Sequence, residues 1–266
     1  MIKDFMENRM GEIIAITSGK GGVGKTTFAI NIGCGLALMK KKVLIIDENN
    51  GLRNLEVAMG LSDFCFYNFI DFINGKKELN EVVVKDKRFE SLYVIPAAQI
   101  YDENCLDKQM INYIYSKLKE KFDYIIIDTP CGVSNGFISS VSGADKAIII
   151  STPDIISIRN ADKIKSILLD NEIRNIALIF NKIDAELKKK KVYISANEVD
   201  DLLGLEVIDE FDYDINFPIS FSKGEPLLLS NTESGRKIAT ICENICGGKI
   251  ILPVVKKKKF KFFRKK

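Results

Sequence analysis

The residues with the plainest chemical meaning are Gly19-Lys20-Gly21-Gly22-Val23-Gly24-Lys25-Thr26. A glycine at the first and sixth places, followed by Lys-Thr, is the spacing of a phosphate-binding loop. The glycines let the backbone turn tightly, so that successive N–H groups converge on phosphate oxygens. Lys25 would reach the outer phosphates, and the Thr26 hydroxyl is placed to meet Mg²⁺. A short β-branched run, residues 13–18, precedes the loop and reads as a buried strand. Phe28, Ala29, Ile32 and Leu36 follow at helical spacing, so the phosphates sit at a helix N-terminus. Gly19 through Thr27 are therefore the expected contacts of a nucleoside triphosphate.

Three more polar groups end strand-like runs, where folds of alternating strand and helix bind their ligands. Asp47 closes the run 43–47. Asp128 closes 123–128 and is followed by Thr-Pro-Cys-Gly; a carboxylate there holds Mg²⁺ through water. Asn181-Lys182-Ile183-Asp184 closes a third run. That last motif matches the N-K-x-D of GTPases, so guanine stays open beside adenine.

Runs at 13–18, 43–47, 92–96, 123–128, 146–151, 174–181 and 205–211 read as strands. Most are continuously apolar, as in a parallel sheet covered on both faces. Helical spacing occupies 25–39, 66–74, 107–120, 134–142, 155–169, 195–203 and 230–246. The alternation predicts an α/β, doubly wound, mostly parallel sheet. We expect a loose extension over 1–11, one domain over 12–248 with Gly247-Gly248 capping its last helix, and a tail over 249–266.

The chain has 266 residues, 46% of them apolar, enough for one sizeable core. No apolar run approaches the roughly 18 residues that span a membrane, and the first ten residues lack a signal peptide's apolar stretch. The cytosol is the expected compartment. Histidine is absent, which removes His-based triads and His metal sites. Six scattered cysteines form no C-x-x-C pair. Cys242 and Cys246 read as one buried helix face; an iron–sulfur scaffold wants closer pairs. Net charge is +3, but residues 256–266 carry eight basic residues and no acid, which leaves the body at −5.

Lys20 is not demanded by a general phosphate loop. Gly-Lys-Gly-Gly-Val-Gly-Lys-Thr resembles the deviant Walker A loop of the MinD/ParA ATPases, and several segments resemble the MinD branch. They are Asp47 with Gly51-Leu52-Arg53-Asn54-Leu55, residues 66–98, Ser157-Ile-Arg-Asn-Ala-Asp162 and Lys223-Gly-Glu-Pro226. The resemblance covers roughly residues 12–246. It implies a P-loop ATPase that uses ATP and Mg²⁺ and forms a homodimer when ATP is bound. Lys20 would reach across to the partner's nucleotide, Asp47 would lie near Mg²⁺ and Asn181 would contact adenine. It also implies a membrane-bound regulator of division-septum placement that recruits a MinC-like inhibitor and, in some bacteria, answers a MinE-like activator.

Two positions depart from that family. Its second switch carboxylate, which orients the attacking water, is Asn49 here; asparagine can hydrogen-bond water but cannot take a proton. Hydrolysis is expected to be slowed by roughly 10²-fold, the scale of a general-base contribution. On the base side, where the family has a proline followed by acids, Phe211-Asp212-Tyr213-Asp214 stands instead.

The tail mixes Phe260, Phe262 and Phe263 with Lys261, Arg264 and six further lysines. Each basic residue near an anionic leaflet contributes about 1 kcal/mol, and the rings can enter the headgroup boundary. One short tail binds weakly; two on a dimer gain about 10²-fold through effective concentration. The expectation is peripheral attachment to the inner face of the cell membrane through anionic lipid, with no specific nucleic acid. A ParA-like partition ATPase, whose tail would bind DNA, is the rival, and a flagellar-number regulator of the same superfamily is a third reading.

Overall fold

The computed structural model describes residues 10–51, 53–99, 107–190 and 192–249. Eight strands form one sheet in the order β3-β4-β2-β5-β1-β6-β7-β8. They are β1 Glu12–Thr17, β2 Val43–Asp47, β3 Val84–Lys85, β4 Leu92–Ile95, β5 Tyr124–Asp128, β6 Lys146–Ser151, β7 Asn175–Ile183 and β8 Glu206–Asp212. All neighbours run parallel except the edge pair β3–β4. β2 and β5 are buried at every position, which is why their Ile-rich runs show no alternation.

The helices are α1 Lys25–Leu38, α2 Asn54–Ala58, α3 Phe69–Ile73, α4 Leu79–Val82, α5 Lys108–Lys119, α6 Asn135–Val141, α7 Ile155–Asp170, α8 Ala185–Lys189, α9 Ala196–Leu203, α10 Asn216–Lys223 and α11 Glu233–Cys246. Caps explain most boundaries. Side chains of Asp107, Ser134, Asp154, Asp184, Ser195 and Thr232 accept first-turn N–H groups of α5, α6, α7, α8, α9 and α11. Gly247 closes α11 in the left-handed region, as its sequence position predicts. α1 differs: it has no side-chain cap, and Gly24 precedes its first turn.

All seven expected strands and seven expected helices are present, most with ends shifted by up to three residues. β3, α2, α4, α8 and α10 were not expected. Each is eight residues or shorter, too brief for a periodic signal. Cys242 faces inward from α11, its Sγ 3.6 Å from the Ile32 carbonyl of α1, and among the described residues no cysteine cluster could hold a metal.

The short helices α2 and α10 are joined at their far ends. Gly60 and Gly224, both left-handed, end the two helical segments back to back; a Cβ on Gly224 would lie 3.0 Å from the Gly60 Cα. Arg88 bridges them, donating from Nη1 to the Gly224 carbonyl at 2.6 Å and from Nη2 to the Met59 carbonyl at 2.8 Å. Its counter-charge, Asp86, is 1% exposed and accepts from Nε at 3.0 Å. Replacing Arg88 with Met strands that buried carboxylate and orphans two helix-end carbonyls. Urea unfolding should show a loss of about 3 kcal/mol, at the low end for a broken buried pair because the guanidinium is partly exposed. Adding Asp86→Asn should recover most of the loss.

Candidate nucleotide site

The phosphate loop joins β1 to α1 at the carboxyl edge of the sheet, with β5 and β6 on either side of β1. Gly24 has φ 111°, a region that side chains resist, and a Cβ there would lie 2.6 Å from the Asn181 amide nitrogen. Because no side chain caps α1, the loop and first-turn N–H groups, with the positive end of the helix dipole, are left for an anion. Lys25 is buried just behind them.

Asp47 and Asp128 stand directly opposite each other on adjacent strands β2 and β5. Burial, then mutual repulsion, pushes the Asp47 carboxyl well above its ordinary value. Burial also raises Asp128, against the opposing Lys25 charge and the Thr26 hydrogen bond. Thr26 Oγ1 donates to Asp128 Oδ2 at 2.6 Å, while Asp128 Oδ1 is buried with no partner. An orphaned carboxylate oxygen beside a hydroxyl and an opposed carboxylate is a donor set that suits a hard divalent cation. Asn49, two residues after Asp47, donates its backbone N–H to Asp47 Oδ1 at 2.9 Å and lines the cavity beside the loop.

That cavity has a volume of about 490 Å³, within the range of small-ligand sites. The phosphate loop, Asn49 and Cys131 form one side. Tyr213, Phe217, Pro218 and Phe221, on and just before α10, form the other. Phe217 is anchored against Phe28 of α1 and Phe211 of β8 at ring distances of 6.0 and 6.2 Å. This aromatic wall had no motif to announce it; only the departure at Phe211–Asp214 marked the neighbouring stretch as unusual.

Asn181 lines the cavity, and its Nδ2 donates to the Val23 carbonyl at 2.7 Å. Lys182 reaches the neighbouring Gly22 carbonyl, also at 2.7 Å. Asp184 does not face the cavity. Its Oδ1 accepts from the N–H groups of Glu186 and Leu187 at 2.8 and 3.0 Å and so caps α8. The N-K-x-D resemblance is thus a strand end followed by a helix cap.

A family model described as an AAA domain matches residues 11–169. The septum site-determining protein MinD of Bacillus subtilis is 38% identical over 249 residues, 92% of this chain and 93% of that protein. MinD of Synechocystis is 40% identical over 220 residues, 83% of each. The chain belongs to the MinD family of ATPases. A chain from the Aquifex aeolicus MinC:MinD cell division complex is similar in structure, with a TM-score of 0.82, 36% identity and coverage of 91% of this chain and 99% of that one.

Within that MinD fold, Lys20 is exposed at the mouth of the loop, on the side of α7. Burial alone would raise the Asp154 carboxyl at the start of α7. Hydrogen bonds from Thr152 and Ser157, with the Lys20 charge, outweigh it and hold Asp154 below its ordinary value. Phe260, Lys261, Phe262, Phe263 and Arg264 lie outside the described residues. No described helix is long and apolar enough to cross a membrane.

Glu48 does not line the cavity, as alternation along a strand leads one to expect. It is buried, and Tyr115 Oη hydrogen-bonds its Oε1 while lying 3.1 Å from the Ser140 carbonyl. One hydroxyl proton cannot serve two acceptors, so a protonated Glu48 completes the chain to Ser140. Burial pushes Glu48 up to about 7, with the Tyr115 hydrogen bond pulling the other way. The folded protein therefore holds a proton that the unfolded chain releases near pH 4.5. Stability falls as pH rises from there to about 7, by roughly 3 kcal/mol, and then levels off. Glu48→Gln should make that slope shallower and leave the share due to Asp47 and Asp128, checked by urea unfolding of both proteins at pH 5 and pH 8.

Proposed function

We propose that this MinD-family ATPase dimerises around bound ATP, attaches to the inner face of the cell membrane through its tail, and regulates placement of the division septum by recruiting a MinC-like inhibitor. The observation that carries the reading is Lys20, a second cation at the open mouth of an uncapped phosphate loop. Val133, Ile155 and Ile156, on the segments that follow β5 and β6, are more than half exposed on that side. A lysine aimed outward from its own phosphate site can neutralise a neighbour's phosphates, and apolar residues beside it suit a second copy. The MinC partner follows from the Aquifex MinD relative, whose structure is a complex with MinC.

In this reading Gly19 through Thr27 bind the phosphates and Asn181 borders the base. Thr26 and Asp128 would hold Mg²⁺, Asp128 through water, and the ion would neutralise charge on the outer phosphates. Lys25 stabilises the charge that develops as the terminal phosphoryl leaves. Asp47 fixes the Asn49 backbone, and the Asn49 side chain positions the attacking water without accepting its proton. Removing only the general-base share, about 10²-fold, leaves a slow ATPase. The dimer then persists long enough for two basic, Phe-bearing tails to act together on lipid.

Two outcomes follow. In single-turnover assays, Asn49→Asp should hydrolyse ATP at least about tenfold faster than the native chain; an unchanged rate counts against the assignment of Asn49. With vesicles containing anionic phospholipid, the full chain should co-sediment with a non-hydrolysable ATP analogue and not with ADP, and deletion of residues 256–266 should abolish pelleting. Pelleting that ignores the nucleotide, or a chain that stays monomeric with the analogue, overturns the scheme.

A further inference from the structure

Lys182 is exposed, yet its backbone sits at φ 57°, a left-handed conformation that glycine adopts freely and lysine resists. The residue stands at the carboxyl end of β7 and lines the nucleotide cavity. Its ammonium donates to the Gly22 carbonyl at 2.7 Å, across 160 residues of sequence. Asn181 beside it donates to the next carbonyl, that of Val23, also at 2.7 Å. A side-chain pair thus grips two consecutive peptide units of the phosphate loop from outside.

Peptide geometry turns that grip into a consequence. In a trans peptide the C=O and the following N–H point in opposite directions across a rigid plane. Drawing the Gly22 and Val23 oxygens toward β7 turns the N–H groups of Val23 and Gly24 the other way. Neither N–H donates to another group among the described residues. Donors held in place before the ligand arrives need no reorganisation when it binds.

We propose that Lys182 is a positioning residue which, together with Asn181, holds the phosphate loop in its binding conformation, so that Val23 and Gly24 present their N–H groups to the phosphate oxygens of a nucleoside di- or triphosphate. This rests on the reading of the loop as the nucleotide site. The strained backbone fits: a glycine would relax it but would surrender the brace.

The test is calorimetric titration of the full chain with ADP and Mg²⁺, alongside melting of the ligand-free protein. Lys182→Met keeps the stem and removes the donor; it should weaken binding by about tenfold, the scale of one hydrogen bond. Lys182→Arg, which still reaches the carbonyl, should stay within about threefold of native. Lys182→Gly should weaken ADP as Met does while the melting temperature holds or rises by about a few degrees, because backbone strain is released. The penalty for Met should persist in about 0.5 M NaCl, where bare charge attraction is screened.

Affinity within twofold of native for Met and Gly overturns the proposal. A penalty that vanishes in salt reduces Lys182 to a surface charge and also overturns it. A melting temperature that falls with affinity assigns the residue to the fold instead. If the native chain takes up no ADP, the nucleotide reading itself fails and the brace falls with it; native binding with unaffected variants removes the brace alone.

Discussion

Backbone N–H groups at the start of α1 find no capping side chain, and the remaining architecture answers that fact. Most helices of comparable or greater length in this chain spend a serine, threonine or aspartate on their first turn. α1 opens instead on Gly24, whose left-handed backbone leaves room for the Asn181 amide and no side chain of its own. An uncapped helix end is costly unless something anionic completes it. The sheet supplies the setting: β1 lies between β5 and β6, so the loop emerges where strand ends converge and where Asp47, Asp128 and Asn181 already stand.

Electrostatics around the loop are unbalanced in a matching way. Two buried carboxylates oppose each other on β2 and β5, each raised by burial; Lys25 and the Thr26 hydroxyl offset Asp128, and backbone N–H groups offset Asp47. The arrangement is poised for a cation, as the first helical turn is poised for an anion. One residue after Asp47, Glu48 turns to the other face of the sheet and is accommodated differently, in a hydrogen-bond chain through Tyr115 to α6. Adjacent acids thus acquire separate roles because a strand alternates its side chains.

The cavity's far wall depends on parts with little independent stability. α2 has five residues and α10 has eight, both too short to persist alone in water. They hold because Phe217 packs on Phe28 and Phe211, and because Arg88 satisfies carbonyls at both far ends. The segment that follows Asp47 and the aromatic wall of the cavity are thereby fastened to one guanidinium.

Most of the fold was legible from residues alone. The Ile-rich strands, the long amphipathic helices and the loop spacing announce themselves through short-range chemistry, since β-branched runs suit buried strands and glycine spacing suits a phosphate cradle. Departures were legible too: Asn49 in place of a carboxylate, and Phe211–Asp214 in place of a proline-led loop. What the sequence could not decide was partnership. That Asp184 caps a helix rather than reading a base, that Lys182 grips Gly22, and that Arg88 joins Met59 to Gly224 are contacts between residues far apart in the chain. Short-range propensity carries no record of such pairs, because each forms only once the sheet has ordered its strands and brought those distant ends together.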